Sequence, residues 1–362
     1  MIRRSLSVLT ALALLLGGSA SLSAQRIARV AKKGLSSWVN TLIGTDWVGN
    51  VYPGASAPFG MVQLSPDNGR AGWDYIAGYF YPDSVIAGFS HTHLSGTGAG
   101  DLYDISYMPV TLPALTFGME AKDQRPIGIH ARFSHTTETA QAGYYAVTLE
   151  PYKIRVELTA TERVGIQRYT FLEDADSACI ILNLDKATNW DRTVNSDARS
   201  ISPTQIVGFR YSDGWARDQK VYFATTLSRP ALRIERTAIP YTGKGVVGKS
   251  VGYGVILRLY YGKVRAGQSI TLCTALSGVS EQGAQKNLKT EAPHSDFDRY
   301  REAATLAWNK RLGQVTLDTK VPDSLRRVFY TALYRSQICP TIYSDVDGRY
   351  LGADRAVHQA QH

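Results

Sequence analysis

Tyr145-Ala-Val147-Thr-Leu149 and Ile154-Arg-Val156-Glu-Leu158-Thr159, separated by a break at Pro151, alternate apolar and polar side chains with a period of two. On an extended chain this alternation places one set of side chains on one face, as a half-buried strand requires. The same period recurs outward from this pair, at Ile166-Gln-Arg-Tyr-Thr-Phe171, Val221-Tyr-Phe-Ala-Thr-Thr-Leu227 and Val255-Ile-Leu-Arg-Leu-Tyr-Tyr261. Turn residues punctuate the runs at Glu173-Asp174, Ser212-Asp213-Gly214 and Tyr241-Thr-Gly-Lys-Gly245. Many strands with regular punctuation and almost no helical period predict a mainly β chain, a large antiparallel β-sandwich over residues 36–290. The span is too long for a simple immunoglobulin-like unit, so long strands in two big sheets are expected.

Near residue 293 the period changes. From Asp296 to Leu312 a helical stripe forms from Phe297, Tyr300, Ala304, Ala307 and Trp308, with Ser295 or Asp296 as cap and Gly313 as stop. This segment reads as a helical linker, residues 291–315. A second helix is expected after Pro322, with Leu325, Val328, Phe329, Ala332 and Leu333 on its apolar face and Pro340 ending it. Asp345-Val-Asp-Gly348 then reads as a turn. Two amphipathic helices cannot close a core by themselves, so their stripes need the sandwich or further polypeptide. Left wet at about 25 cal/mol per Å², those stripes forfeit several kcal/mol, and self-association of the isolated chain is expected.

Composition narrows the class. The 362 residues are 44% hydrophobic and 20% charged, with 32 Gly and 21 Tyr, which excludes disorder, collagen and coiled coil. The net charge of +9 is spread along the chain rather than gathered into a patch, so no nucleic-acid partner is expected. Met1-Ile-Arg-Arg4, the apolar run Leu6 to Leu16 and the small residues to Ala24 have the order of a signal peptide, residues 1–24. The apolar run is too short to cross a ~30 Å hydrocarbon core, so no membrane span is expected and the location is periplasmic or secreted. The three cysteines, Cys179, Cys273 and Cys339, include no CxxC, and the first two lie in apolar strand-like runs. Stability therefore has to come from the core, not from disulfides.

The densest polar stretch is Gly88-Phe-Ser-His-Thr-His-Leu-Ser-Gly-Thr-Gly-Ala-Gly-Asp-Leu-Tyr-Asp104. His91 and His93, two apart on an extended segment, face the same way and offer two metal ligands, with Asp101 or Asp104 as a third. Hydrogen bonding in a polar loop is the commoner use of such histidines. Gly96, Gly98 and Gly100 let a backbone approach a ligand closely, but no helix pattern follows to make a phosphate loop. A second cluster is Gly72-Trp73-Asp74-Tyr75, downstream of Thr45-Asp46-Trp47 and Asp67-Asn68. A flat aromatic face covers the apolar side of a pyranose, while carboxylates and amides take its hydroxyls. Trp73 and Asp74, among glycines and polar residues, are favoured over Trp38 or Trp190. No serine elbow, HExxH or Walker pattern is present.

Several long blocks carry a resemblance. Val39-Asn-Thr-Leu-Ile-Gly-Thr45, Tyr52-Pro-Gly-Ala-Ser-Ala-Pro-Phe-Gly-Met-Val-Gln-Leu-Ser-Pro-Asp67 and Gly88 to Gly98 are similar to the opening of the family 92 glycoside hydrolases, mostly α-mannosidases. The likeness continues through Val156-Glu-Leu-Thr-Ala-Thr161, Arg168-Tyr-Thr-Phe171, Phe329-Tyr-Thr-Ala-Leu-Tyr-Arg335 and Asp345-Val-Asp-Gly-Arg-Tyr350, over residues 36–358. The resemblance implies a galactose-mutarotase-like sandwich, a helical linker and an (α/α)6 barrel, of which residues 316–362 form only the start. It implies a calcium-dependent, inverting removal of terminal α-mannose from a mannose-containing glycan. Inversion needs an acid and a base about 6.5–9.5 Å apart with water between them. By resemblance both belong to the barrel after the Asp-Val-Asp-Gly block, so both are expected beyond His362, along with the completion of any calcium site.

What the resemblance carries onto this chain is a share of the sugar pocket: Trp73, Asp74 and Asp354, then His91, His93 and Asp101. Two positions depart from the family's pattern. Leu351 stands where a basic residue is common, which touches the Asp354 loop. Gln167 replaces a histidine and is expected to alter only a strand surface. The chain thus reads as the carbohydrate-binding N-terminal part of an exported α-mannosidase, inactive alone and completed by a second chain supplying the barrel. The alternative is a stand-alone carbohydrate-binding protein derived from such an enzyme.

Overall fold

The computed structural model describes residues 34–112, 129–186, 188–240 and 252–361, so the signal-peptide segment lies outside the described residues. The opening pair of runs is a hairpin. Tyr145 stands opposite Leu158, Val147 opposite Val156 and Leu149 opposite Ile154, all six buried. That hairpin belongs to an eight-stranded antiparallel sheet, in spatial order Arg192–Ser202, Gln205–Asp213, Gln219–Leu227, Ser269–Ser277, Val164–Phe171, Ile154–Ala160, Tyr144–Leu149 and Thr139–Gln141. The facing sheet has seven strands, ordered Ala55–Ser56, Gln63–Asp67, Gly88–Ser90, Ser106–Leu112, Ala175–Asn183, Tyr253–Val264 and Arg233–Pro240. Between the sheets lies the main core, which includes Phe89, Tyr107, Val147, Val156, Tyr169, Ile180, Leu257 and Leu272. The fold is therefore the antiparallel sandwich that the period of two predicts. Cys179 and Cys273 are buried in it as apolar residues, and Cys339 is exposed.

Three helices follow the sheets: α1 (Glu281–Glu291), α2 (Phe297–Leu312) and α3 (Asp323–Arg335). The first was not anticipated from periodicity, because only Ala284 and Leu288 give it buried apolar side chains. It is fixed instead by polar chemistry. The Ser280 hydroxyl caps its start by accepting from the Gly283 N–H, and buried Asn287 donates to the Leu276 carbonyl and to Asp345. With α2 it covers the outer face of the eight-stranded sheet, where Ala146, Ile166, Val207 and Cys273 form a second core. This explains why those strands carry apolar residues on both faces.

Helix α2 keeps its predicted cap at Asp296 and its stop at Gly313. Its stripe is Phe297, Tyr300, Ala304, Trp308 and Leu312, and Ala307 points to solvent, one position off the stripe. Buried Trp308 donates its indole N–H to the Ser56 carbonyl at 2.7 Å. Gly143, with φ of 73°, lies beneath it, and a Cβ there would stand 2.9 Å from the Trp308 ring. The expected apolar face of α3 needs correction. Phe329 and Leu333 are half-buried against the core as expected, but Leu325, Val328 and Ala332 are exposed, and the fully buried residues are Tyr330, Thr331 and Tyr334. Tyr334 packs its ring 4.4 Å from that of Trp308, and Arg335 donates to the carbonyls of Tyr52 and Thr41. These contacts turn the tyrosine face inward against the N-terminal segment. The sandwich and that segment thus cover the aromatic residues of both helices, and Leu306 on α2 and Leu325 and Val328 on α3 remain exposed. Among the described residues no helix is long and apolar enough to cross a membrane.

Candidate functional site

The histidines of the Gly-rich block are interior. The His91 and His93 side chains are buried, and the block folds back on itself with His93 bridged to Leu102. His91 Nδ1 is 2.6 Å from the Ile105 carbonyl oxygen. Burial pushes the His91 imidazole down to about 4, so it is neutral in this setting. His93 Nδ1 lies 2.7 Å from the Gln63 carbonyl oxygen, and its Nε2 lies 2.8 Å from Asp67. Asp67 also accepts from Lys186. Burial raises the Asp67 carboxyl, but Lys186 and His93 together hold it below its ordinary value. Gln167 was expected on a strand surface; it is fully buried instead. It accepts from the Tyr169 hydroxyl at 2.7 Å and lies 3.5 Å from His91 Nε2. Its strand alternates the other way from the simple expectation, because α1 and α2 bury the face that holds Ile166.

Asp101 is buried as well and accepts the Ala216 N–H at 2.6 Å. Asp104 accepts from Thr92, Gln219 and Arg210. Arg210 lies wholly inside, donating to Asp104 at 2.6 Å, to Asp191 at 2.5 Å and to the Lys186 carbonyl at 2.8 Å. One guanidinium between two carboxylates leaves a net negative charge. Burial therefore pushes Asp191 up to about 7 against the pull of Arg210, with Asp104 and Asp101 adding to the rise. Among the described residues no group of three or more His, Cys, Asp or Glu is placed to hold a metal ion. Calcium asks for six to eight oxygen ligands, and the carboxylates gathered here already serve a guanidinium and backbone donors. These residues do not by themselves fit a calcium ion.

In front of this interior network lies an open aromatic rim. Trp73 and Asp74 sit on a short 3-10 turn, both exposed, with Trp73 at 69%. The Gly72 N–H donates to Asn189 Oδ1 at 2.7 Å, and Asn189 Nδ2 donates to the Tyr75 carbonyl. Next along the chain Trp190 meets Trp73 edge to face, with ring centroids 6.0 Å apart. Gly100 passes so close behind that a Cβ would come within 2.7 Å of Asn189. The turn after Asp213 carries Trp215, 71% exposed, beside the Ala216 that Asp101 holds. From there a groove of about 540 Å³ runs past Arg217, Asp218 and Lys220 to Leu351, Gly352 and Ala353. Its far wall is the hairpin of Arg349–Leu351 and Val357–Gln359, tied across by the Arg355–Asp218 ion pair. Asp354 is exposed at the tip of that hairpin, paired with His358 at 2.9 Å, which holds its carboxyl below the ordinary value.

The structure leaves Trp73 and Asp74 exposed on the turn beside Trp190 and Asp354 exposed on the hairpin beyond the groove, while Asp101, His91 and His93 are buried. Sequence reasoning passed over Trp190 and Trp215. Their signal was present in Asn189-Trp190-Asp191 and Gly214-Trp215, which repeat the glycine or amide beside tryptophan seen at Gly72-Trp73.

Comparison with known proteins follows the same outline. Residues 38–277 match the glycosyl hydrolase family 92 N-terminal domain, and residues 283–362 match the glycosyl hydrolase family 92 catalytic domain. A secreted glycosidase of Arthroderma benhamiae, itself uncharacterised, is 25% identical over 345 residues, which is 88% of this chain and 43% of that protein. The structure is similar to a family GH92 α-mannosidase of Bacteroides thetaiotaomicron in complex with mannoimidazole. The TM-score is 0.81 at 32% identity, over 91% of this chain and 43% of that one. A family GH92 inverting mannosidase of the same organism gives 0.72 at 26% identity, over 91% and 43%. The chain therefore spans less than half the length of these relatives. With the domain matches running along nearly all of the described residues, the chain belongs to glycosyl hydrolase family 92.

Proposed function

We propose that this chain supplies the sugar-facing β-domain and first helices of an exported α-mannosidase, and that it binds a terminal mannose at Trp73, Asp74 and Asp354. The observation that carries this reading is the exposed Trp73-Asp74 turn, whose indole meets Trp190 edge to face, with Asp354 exposed on its own hairpin. The likeness to an α-mannosidase in complex with mannoimidazole supports it. The indole offers a flat apolar face and the two carboxylates accept from hydroxyls, the combination that orients a pyranose. Asp354 has its carboxylate shared with His358, so it is suited to accept hydrogen bonds rather than to move a proton. We further propose that the general acid and base, and the ligands of the calcium ion that such enzymes require, lie outside residues 34–361. Export through residues 1–24 belongs to the same reading.

The test is calorimetric titration of the chain with mannose, alongside an assay for mannose released from mannobiose in the presence of calcium. Binding that is lost in Trp73→Ala and Asp354→Asn, with no release, is the expected result. Mannose released by this chain alone would refute the placement of the acid and base.

A further inference from the structure

We propose that Trp190 and Trp215 form a second sugar platform, which takes the units of an α-mannoside chain beyond the terminal mannose. The proposal rests on the sugar-binding reading of Trp73 and extends it along the rim. Trp73, Trp190 and Trp215 are 69%, 46% and 71% exposed, and they occupy three loops that meet the Gly-rich block. A single exposed tryptophan is ordinary, whereas several on one rim mark an interaction surface.

What distinguishes these indoles is how their backbones are held. Gly72, before Trp73, donates to Asn189 Oδ1 at 2.7 Å. Trp190 donates its own N–H to the Gly100 carbonyl, and the next residue, Asp191, is buried against Arg210. Ala216, after Trp215, donates to buried Asp101. Trp190 and Trp215 are thus each one residue from a group tied to the buried network, and the Trp73 turn is tied to the Trp190 loop through Asn189. Loops fixed before binding lose little freedom on binding, which is what a platform needs and a leftover surface residue does not.

The chemistry of the rim selects the occupant. The indoles are interspersed with Asp74, Arg217 and Asp218, so flat apolar faces alternate with hydrogen-bonding groups rather than merging into one greasy patch. A pyranose presents the same alternation, an apolar ring face edged by hydroxyls. Trp73 and Trp190 meet at 89°, which offers two faces turned relative to each other, as successive units of a glycosidic chain are turned. The groove of about 540 Å³ beyond Trp215 gives room for a short oligosaccharide.

The probes are mannose and the α-1,2-, α-1,3- and α-1,6-linked mannotrioses, titrated into the full chain. At least one triose should bind about tenfold more tightly than mannose. Trp190→Ala and Trp215→Ala should each remove most of that excess, Trp215→Ala with mannose affinity unchanged, while Trp190→Phe and Trp215→Phe should retain much of it. On the unaltered chain the same triose should protect Trp190 and Trp215 from N-bromosuccinimide oxidation, read by peptide mass spectrometry, and mannose should not. Equal affinity for mannose and all three trioses, with no protection, overturns the platform and leaves the mannose reading standing. Failure to bind any of the four overturns both.

Discussion

Arg210→Met tests whether the buried ion network holds the rim together. The guanidinium is fully buried and donates to Asp104, Asp191, the Lys186 carbonyl and the Thr193 hydroxyl. Methionine fills similar space but strands the carboxylates, and breaking a buried pair in this way costs about 3–5 kcal/mol. The cost must depend on pH. Asp191 has its carboxyl raised to about 7, so at pH 6 it is largely neutral and the variant strands mainly Asp104. At pH 9 both carboxylates are charged and neither has a cation. A raised folded-state pKa gives stability that is present below the unfolded value and lost as pH rises through the folded one. In the variant, Asp191 without the pull of Arg210 titrates higher still, so its loss continues after the native protein has levelled off. Urea unfolding followed by tryptophan fluorescence should give a deficit of about 3 kcal/mol at pH 6 and about 5 kcal/mol or more at pH 9. A deficit under about 1 kcal/mol, or one that is no larger at pH 9, would refute the argument. Arg210→Lys, which keeps the charge and loses the fork, should fall between.

The remaining expectations concern the core and the helices. His91, depressed to about 4 by burial, contributes stability that is present above its ordinary pKa and lost as pH falls through 4. Its loss across that window is about 3 kcal/mol, and His91→Gln should flatten the acid limb of a plot of unfolding free energy against pH. Gly143→Ala adds a Cβ 2.9 Å from the Trp308 ring at a φ of 73°, and should cost about 1–3 kcal/mol in urea unfolding. Leu325→Glu with Val328→Lys changes two exposed positions of α3, so the unfolding midpoint should hold within about 0.5 kcal/mol while light scattering shows less self-association.

The sandwich was legible because Tyr145 to Thr159 and its neighbours obey the period of two, and a turn residue closes each run. Where helices cover the second face of a sheet, the same strand carries apolar residues on both sides, and the rule loses its direction. Gln167 was misplaced for that reason. Helix α1 was invisible because its buried face includes Gly283 and Asn287, polar or without a side chain, and its fixation comes from Ser280 and Asp345, distant in sequence or outside the stripe. The face of α3 was found in part, at Phe329 and Leu333, and missed at Tyr330 and Tyr334, because leucine and valine weigh more than tyrosine in any apolar stripe, yet Trp308 offers Tyr334 a ring to pack on. At the candidate site, composition around Gly72-Trp73-Asp74 was informative and the histidine spacing was not. A two-residue repeat reports a shared direction without saying whether that direction is inward.

The site follows a division of labour between exposed aromatic groups and buried ions. Replacing the whole network, Arg210 together with Asp104 and Asp191, by well-packed hydrocarbon would give comparable stability, since buried ion networks return little net free energy over such a core. Hydrocarbon has no direction, however, and a guanidinium has five donors in a fixed plane. Those donors reach four acceptors on two chain segments: Asp104 at the end of the Gly-rich block, and the Lys186 carbonyl, the Asp191 that follows Trp190, and Thr193. Gln219, just beyond the Trp215 turn, joins the same Asp104. The loops that present Trp190 and Trp215 are therefore registered by one side chain. Because that side chain brings one positive charge to two carboxylates, the anchor is best balanced when Asp191 holds its proton. Rim order and the stability of the sandwich should accordingly weaken together as pH rises through about 7.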